Sequence, residues 1–345
     1  MRQIFFHSLI VIILILGCRS TVHAADILSV SQQNVTINMA VEFMDHAAAA
    51  FISNDQGWFE EAGLNVKSYE SYSTGMALAA ALARGDVQVA YLCLVPAVNA
   101  FVNAGVPIKI VAGTHKYGYG LVVDGNNVKT VRDLEKTGIR LGCVREGGAV
   151  DVLLRKIIDS YDLDAARVLN NVRRMPPVKQ LLAVQTGQLD AVMLPEQWAT
   201  MAEASGFTML LTARDVWPGM QGSVLAVREE LLADHPDVVS KLVDLLERAD
   251  ELIIRDPQKA ADIVARQMQL SGADIARQGL GTDILTTITP GILERSMKRL
   301  EYGIDIDPDE VQRTIDDMAR LGYIKKKCTA GELLDLRFIE NARFR

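Results

Sequence analysis

Residues 35–69 read VTINMAVEFMDHAAAAFISNDQGWFEEAGLNVKSY, and this stretch decides the fold. Val35–Val41 reads as a strand, Ala47–Ala62 as a helix stopped at Gly63, and Asn65–Tyr69 as a second strand. Working outward, Gly75–Arg84 reads as a helix and Val87–Leu92 as a strand. Pro96–Ala104 is a helix with proline in its first turn and Gly105 past its end, and Ile108–Gly113 is again strand. Such alternation predicts a mostly parallel, doubly wound sheet with right-handed crossovers.

The period restarts after Gly118. Tyr119–Val123, Ile139–Val144, Val168–Val172, Ala191–Leu194 and Thr208–Leu211 read as strands. Between them Val131–Lys136, Ala149–Ser160, Val178–Thr186 and Gln197–Ala204 read as helices. Ser223–Val227 reads as a returning strand, and the remainder as helical: His235–Arg255, Pro257–Met268, Pro290–Tyr302, Pro308–Leu321 and Glu332–Asn341. Two α/β units and a helical C-terminal segment predict two lobes joined by two crossing strands, Tyr119–Asp124 outward and Gly222–Arg228 back. Lobe 1 would then be discontinuous, 33–118 with 222–345, and lobe 2 would be 119–221. Ligands of open α/β sheets lie beyond the carboxyl ends of the strands, which here would face a cleft able to close by a hinge.

The first residues differ from the rest. Leu9–Leu16 (LIVIILIL) is unbroken apolar sequence, shorter than the about 20 residues a spanning helix needs, and it fits the core of a secretory signal. Two processing sites compete: cleavage after Ala24, leaving a leader of residues 1–24, or a lipobox Ile15-Leu16-Gly17-Cys18, leaving a leader of 1–17 and a lipid anchor on Cys18. Either way the expectation is export, to the periplasm or to a membrane-tethered state there. The 345 residues hold 36 Lys+Arg against 43 Asp+Glu, a net charge of −7, which argues against a nucleic-acid footprint. Four cysteines make no disulfide scaffold. Cys93 and Cys143 sit in apolar strand-like runs and read as small buried thiols, with a bridge between them as the alternative.

Motifs of catalysis are missing: there is no P-loop, no GxGxxG, no HExxH and no GxSxG. No metal-ligand spacing occurs, and no cofactor is expected. The strand-to-helix turns are more informative. Ser73, Thr74 and Gly75 lead into one helix, and Arg145, Glu146, Gly147 and Gly148 into another. Small residues with free N–H groups at a helix start suit an anion, and one such turn from each lobe would clamp an acidic or strongly polar group, although each is equally an ordinary cap. Other cleft candidates at strand ends are His46, Val95, His115, Tyr117 and Glu196, the last as acceptor for an amine. Trp198 and Trp217 would either wall a pocket or fill the core.

Gly57-Trp58-Phe59-Glu60-Glu61-Ala62-Gly63-Leu64-Asn65-Val66 resembles the opening of the nitrate/sulfonate/taurine-type substrate-binding proteins of ABC importers, a branch of the thiamine-pyrimidine-synthesis-like group. The similarity continues through Arg84-Gly85-Asp86-Val87, Ala104-Gly105-Val106-Pro107, Val131-Arg132-Asp133-Leu134, Gln185-Thr186-Gly187-Gln188-Leu189-Asp190-Ala191 and His235-Pro236-Asp237-Val238. The resemblance implies a two-lobe periplasmic-binding-protein fold of type II. It also implies a non-enzymatic, monomeric protein that captures a small anionic or zwitterionic nutrient and hands it to a membrane permease and its ATPase. A pyrimidine-binding protein, an exported ligand-sensing module and an enzyme of the same fold are the alternatives. Arg145-Glu146-Gly147-Gly148 replaces the Ser/Thr-rich turn of relatives, and Met175-Pro176-Pro177 is unusual where they are polar, so no ligand is carried over.

Overall fold

A computed structural model of the chain describes residues 35–278 and 283–343. The expected leader, in both its versions, and Cys18 lie outside the described residues. The strands are β1 (Thr36–Glu42), β2 (Asn65–Tyr72), β3 (Val89–Cys93), β4 (Ile108–Lys116), β5 (Tyr119–Val123), β6 (Leu141–Cys143), β7 (Val172–Arg174), β8 (Ala191–Pro195), β9 (Thr208–Thr212), β10 (Gln221–Arg228) and β11 (Glu301–Tyr302).

They form two sheets, in the orders β2-β1-β3-β10-β4-β11 and β7-β6-β8-β5-β9. Both sheets follow one rule. In each, the second local strand flanks the first, the third follows, and a strand sent across from the other half of the chain separates third from fourth. β5 leaves straight after β4 and lies antiparallel between β8 and β9. β10 follows β9 and lies antiparallel between β3 and β4. The remaining local pairs β1–β2, β1–β3, β6–β7 and β6–β8 are parallel, as the strand–helix alternation requires. The central strands β3, β5 and β8 are buried along their whole length, which explains their unbroken apolar sequence.

The chain passes from the first sheet to the second at Tyr117 and Gly118, two consecutive residues in the left-handed region (φ 65° and 88°). Gly118 is required twice over: a Cβ there would lie 2.5 Å from His46 Nε2. The return path runs through Trp217–Met220, and Tyr117 N donates to Met220 O at 3.1 Å, so the two crossings touch.

Several elements differ from the sequence reading. Ala47–Ala62 is two helices, Ala48–Asp55 and Trp58–Glu61, because Gly57 turns left-handed at φ 69°. Within Val168–Val172, the start belongs to a helix Ala165–Asn170 whose N-cap Asp164 accepts from Arg167 N, and only β7 remains as strand. Pro290–Tyr302 ends as a helix at Met297, and its last two residues are the edge strand β11. Otherwise the C-terminal part is helical, chiefly Pro236–Arg255, Pro257–Leu270 and Pro308–Arg320. Cys93 and Cys143 are free buried thiols, not a bridge. Among the described residues no helix is long and apolar enough to cross a membrane.

Candidate functional site

A cleft of about 700 Å³ opens where the carboxyl ends of β1, β2 and β3 meet those of β6, β7 and β8. This is where an open α/β sheet receives its ligand, here from two sheets at once.

On the first-sheet side, β1 ends in Glu42, β2 leads into the helix Gly75–Arg84, and β3 runs directly into the helix Leu94–Val102. Thr74 is the N-cap of the helix Gly75–Arg84, its hydroxyl accepting from Ala77 N at 3.3 Å. Glu42 lies between the two helix starts, only 3% exposed, and one carboxylate oxygen accepts from Cys93 N at 2.7 Å. Gly75 N donates to it as well. A Cβ on Gly75 would sit 2.7 Å from Glu42 Oε1 and 2.6 Å from Pro96 Cγ, so this position is glycine because the carboxylate and the proline are there. Burial pushes the Glu42 carboxyl above its usual range, against the opposing pull of the Cys93 thiol and the two N–H donors.

On the second-sheet side, β6 leads through Val144–Gly148 into the helix Ala149–Ser160. Its start is filled by its own side chain. Asp151, fully buried, accepts from Gly147 N at 3.1 Å and from Tyr323 Oη at 2.5 Å, and pairs with Arg174 Nη1 at 2.5 Å. Arg145 and Glu146 are exposed at the rim. Glu146 pairs with Arg155, whereas Arg145 forms no ion pair among the described residues. Much of the remaining wall is apolar: Met44, Met76, Ala80, Met175, Pro176 and Pro177.

Of the residues expected from sequence, Ser73, Thr74, Gly75, Arg145 and Gly148 line this cleft together. Gly147 lies beside them with its N–H on Asp151. Val95 is buried in the helix after β3. His46 and His115 are each 1% exposed beneath the floor, their ring centroids 4.2 Å apart. His46 Nε2 donates to Gly118 O at 2.8 Å. Burial holds His46 well below its ordinary range and lowers His115 to about 4, so both are neutral fillers of the crossing region. Tyr117 and Glu196 line a separate recess of about 230 Å³ with Arg214, Lys298 and Arg299. There Arg299 Nη1 sits 2.9 Å from Glu196, which removes that carboxylate as an open acceptor. Trp198 is core, tilted against Phe43 at 6.2 Å. Trp217 is also buried, its Nε1 donating to Glu310 at 3.1 Å.

Sequence reasoning missed Glu42, Met44, Tyr119 and Arg174. A signal for Glu42 existed, since it is the one charged residue closing the strand TINMAVE, at the end that faces a ligand. The two helix starts expected to hold an anion each already carry an internal carboxylate, Glu42 and Asp151. Among the described residues no group of His, Cys, Asp and Glu could hold a metal ion.

The sequence model of the NMT1-like family matches residues 31–268. A Brucella abortus (strain 2308) protein described as a binding protein is 24% identical over 242 residues, 68% of this chain and 72% of that one. Among solved structures, the zinc-bound ligand-binding component of an ABC-type import system from Staphylococcus aureus superposes with a TM-score of 0.72 at 17% identity, covering 89% of this chain and 98% of its own. The alkanesulfonate-binding protein SsuA of Xanthomonas axonopodis pv. citri, bound to MOPS, gives 0.70 at 16% identity, covering 87% and 98%. The fold is therefore that of the two-lobe periplasmic binding proteins, and these structural neighbours are binding proteins, not enzymes.

Proposed function

Since this chain belongs to the NMT1-like family, we propose that it is the solute-binding component of an ABC importer, capturing a small organic molecule in the cleft and delivering it to a membrane permease and its ATPase. The observation that carries this reading is the cleft itself, about 700 Å³ at the carboxyl ends of strands from both sheets, a size suited to an organic ligand. The lobes would be 33–118 with 222–345, and 119–221. They would move about the paired crossings at Tyr117–Gly118 and Trp217–Met220. Ligand bridging both walls would favour the closed arrangement, and the permease would recognise that shape. Export to the periplasm, by a leader removed after Ala24 or by a lipid anchor at Cys18, fits this role.

The test is a thermal-shift screen of the purified chain, unfolded and refolded to strip carried ligand, against taurine, alkanesulfonates, nitrate, bicarbonate, short carboxylates, amines and pyrimidines. A ligand at about 100 times its dissociation constant adds roughly 2.7 kcal/mol, a shift of a few degrees. The shift should vanish in Ala80→Trp, which fills the cleft from an exposed wall position. A shift that survives Ala80→Trp places binding elsewhere and defeats the reading.

A further inference from the structure

We infer that Glu42 is the ligand-facing acceptor of the cleft, taking the N–H or ammonium group of an organic amine whose apolar body lies along Met44, Met76, Met175, Pro176 and Pro177. The inference rests on the binding role proposed above and assigns the chemical class that the site takes. Glu42 combines three properties that are costly to bring together. It is 3% exposed, it borders the cleft, and among the described residues no cation pairs with it. Its partners are neutral donors, Cys93 N at 2.7 Å, Gly75 N and the Cys93 thiol. A carboxylate has about four acceptor sites, so two N–H groups and a thiol leave capacity for a ligand donor at a side chain that lines the cleft. A buried carboxylate without a counter-ion is unfavourable until one arrives, and an entering ammonium supplies it.

The same geometry disfavours a bare anion. At each helix start one N–H already serves a carboxylate, Gly75 N on Glu42 and Gly147 N on Asp151, so an anion approaching either start meets like charge. The walls point the same way. Methionine is flexible and polarisable and packs against varied organic bodies, which a three- or four-atom anion does not offer. Arg145, exposed at the rim without an ion pair, leaves a place for the acid end of a zwitterion.

The test uses matched probes on the refolded chain: hexylamine, 2-phenylethylamine and 6-aminohexanoate against hexanoate, 3-phenylpropanoate, hexanesulfonate and nitrate. Affinities are read by titration and thermal shift. The amines are expected to bind at least about tenfold more tightly than their acid counterparts, and Glu42→Gln to weaken them by about tenfold or more, as loss of a charged hydrogen bond does. Acids binding as well as amines, or amines binding Glu42→Gln undiminished, overturns the inference. If amines are lost in Ala80→Trp but kept in Glu42→Gln, the transport role stands and only the assignment to Glu42 falls. Binding of neither class by a chain that still unfolds cooperatively overturns the cleft as a solute site, and the proposed function with it. Should Glu42→Gln fail to fold, Met76→Lys brings a built-in ammonium to the same wall and must likewise exclude the amines; amines that bind it unchanged defeat the assignment.

Discussion

Tyr117 Oη donates to Pro218 O at 2.6 Å, a side-chain tie between the outward and return crossings beside the backbone bond from Tyr117 N to Met220 O. Tyr117 is held in the left-handed region at φ 65°, a conformation a tyrosine adopts only when its surroundings enforce it. Arg214 stacks on its ring at 4.5 Å, and its N–H is bound to Met220 O, so ring, hydroxyl and backbone are all engaged.

Tyr117→Phe keeps the ring and the backbone bond to Met220 and removes the side-chain tie. The expected cost is about 1 kcal/mol of stability, the ordinary contribution of a hydrogen bond. The more informative change is in the crossings, where amide exchange at 117–120 and 217–221 should quicken more than in either sheet. Uniform quickening across both sheets would mean that the bond stabilises the fold generally and does not act at the hinge.

Gly118→Ala tests the same region through sterics. A left-handed alanine costs of order 1 kcal/mol, and its Cβ would press on His46 Nε2 at 2.5 Å, with His115 Cε1 at 3.1 Å. Neither ring can retreat, since both are buried. Overpacking of this sort adds about 1–3 kcal/mol, so urea unfolding should show a total loss of about 2–4 kcal/mol. A loss under about 0.5 kcal/mol would indicate that the histidine pair is not fixed as described.

Beneath the floor, acid and base groups respond to pH in opposite directions. Burial raises Asp45 from 3.8 to about 7, so the folded state holds its proton more tightly than the unfolded state does. This group therefore contributes stability at low pH that is lost as pH rises from about 4 to 7. His115 is lowered to about 4, so the unfolded chain takes up its proton first, and stability is lost as pH falls from 6.5 towards 4. Asp45→Asn should accordingly stabilise the chain, relative to the native sequence, more at pH 8 than at pH 5, and His115→Gln should reduce the loss below pH 6. Urea midpoints at three pH values decide this, and an Asp45→Asn difference independent of pH would contradict the burial of that carboxyl.

How far the sequence reaches is visible element by element. The helices Gly75–Arg84 and Ala149–Ser160 and the strand Tyr119–Val123 coincide with their sequence reading, because glycines or a polar turn bracket each of them. The exchange of β5 and β10 between sheets is also implied once two α/β units are seen. Val168–Val172 misleads because its ends are β-branched, while the signal that sets it is the Asp164 cap outside the window. The site is less legible. Helix starts are recognisable locally, but whether their N–H groups are free depends on Glu42, 33 positions before Gly75 in the chain, and Asp151, whose partner Tyr323 lies 172 positions away. The histidines fail as cleft residues for the same reason: strand ends point both at the cleft and into the crossing beneath it, and only packing separates the two.

That Tyr323–Asp151 contact carries the last prediction. The helix Ala149–Ser160 of the second-sheet half faces the C-terminal helix Pro308–Arg320 and the turn after it through Tyr323 Oη to Asp151 at 2.5 Å, Lys156 Nζ to Asp317 at 3.2 Å and Arg320 Nη2 to Asp159 at 2.9 Å. The two ion pairs are partly exposed and worth between zero and about 1 kcal/mol each. The Tyr323 bond ends on a fully buried carboxylate and is worth more, about 1.5–3 kcal/mol. If the two halves close on a ligand, this contact belongs to the closed arrangement. Tyr323→Phe should then weaken binding of any cleft ligand by about tenfold or more without touching it, while Lys156→Met changes affinity by less than about fivefold. Titration of both variants with one ligand distinguishes the cases. Equal affinity in Tyr323→Phe and the native chain, with a lower melting temperature, would assign the bond to the stability of the helix start alone.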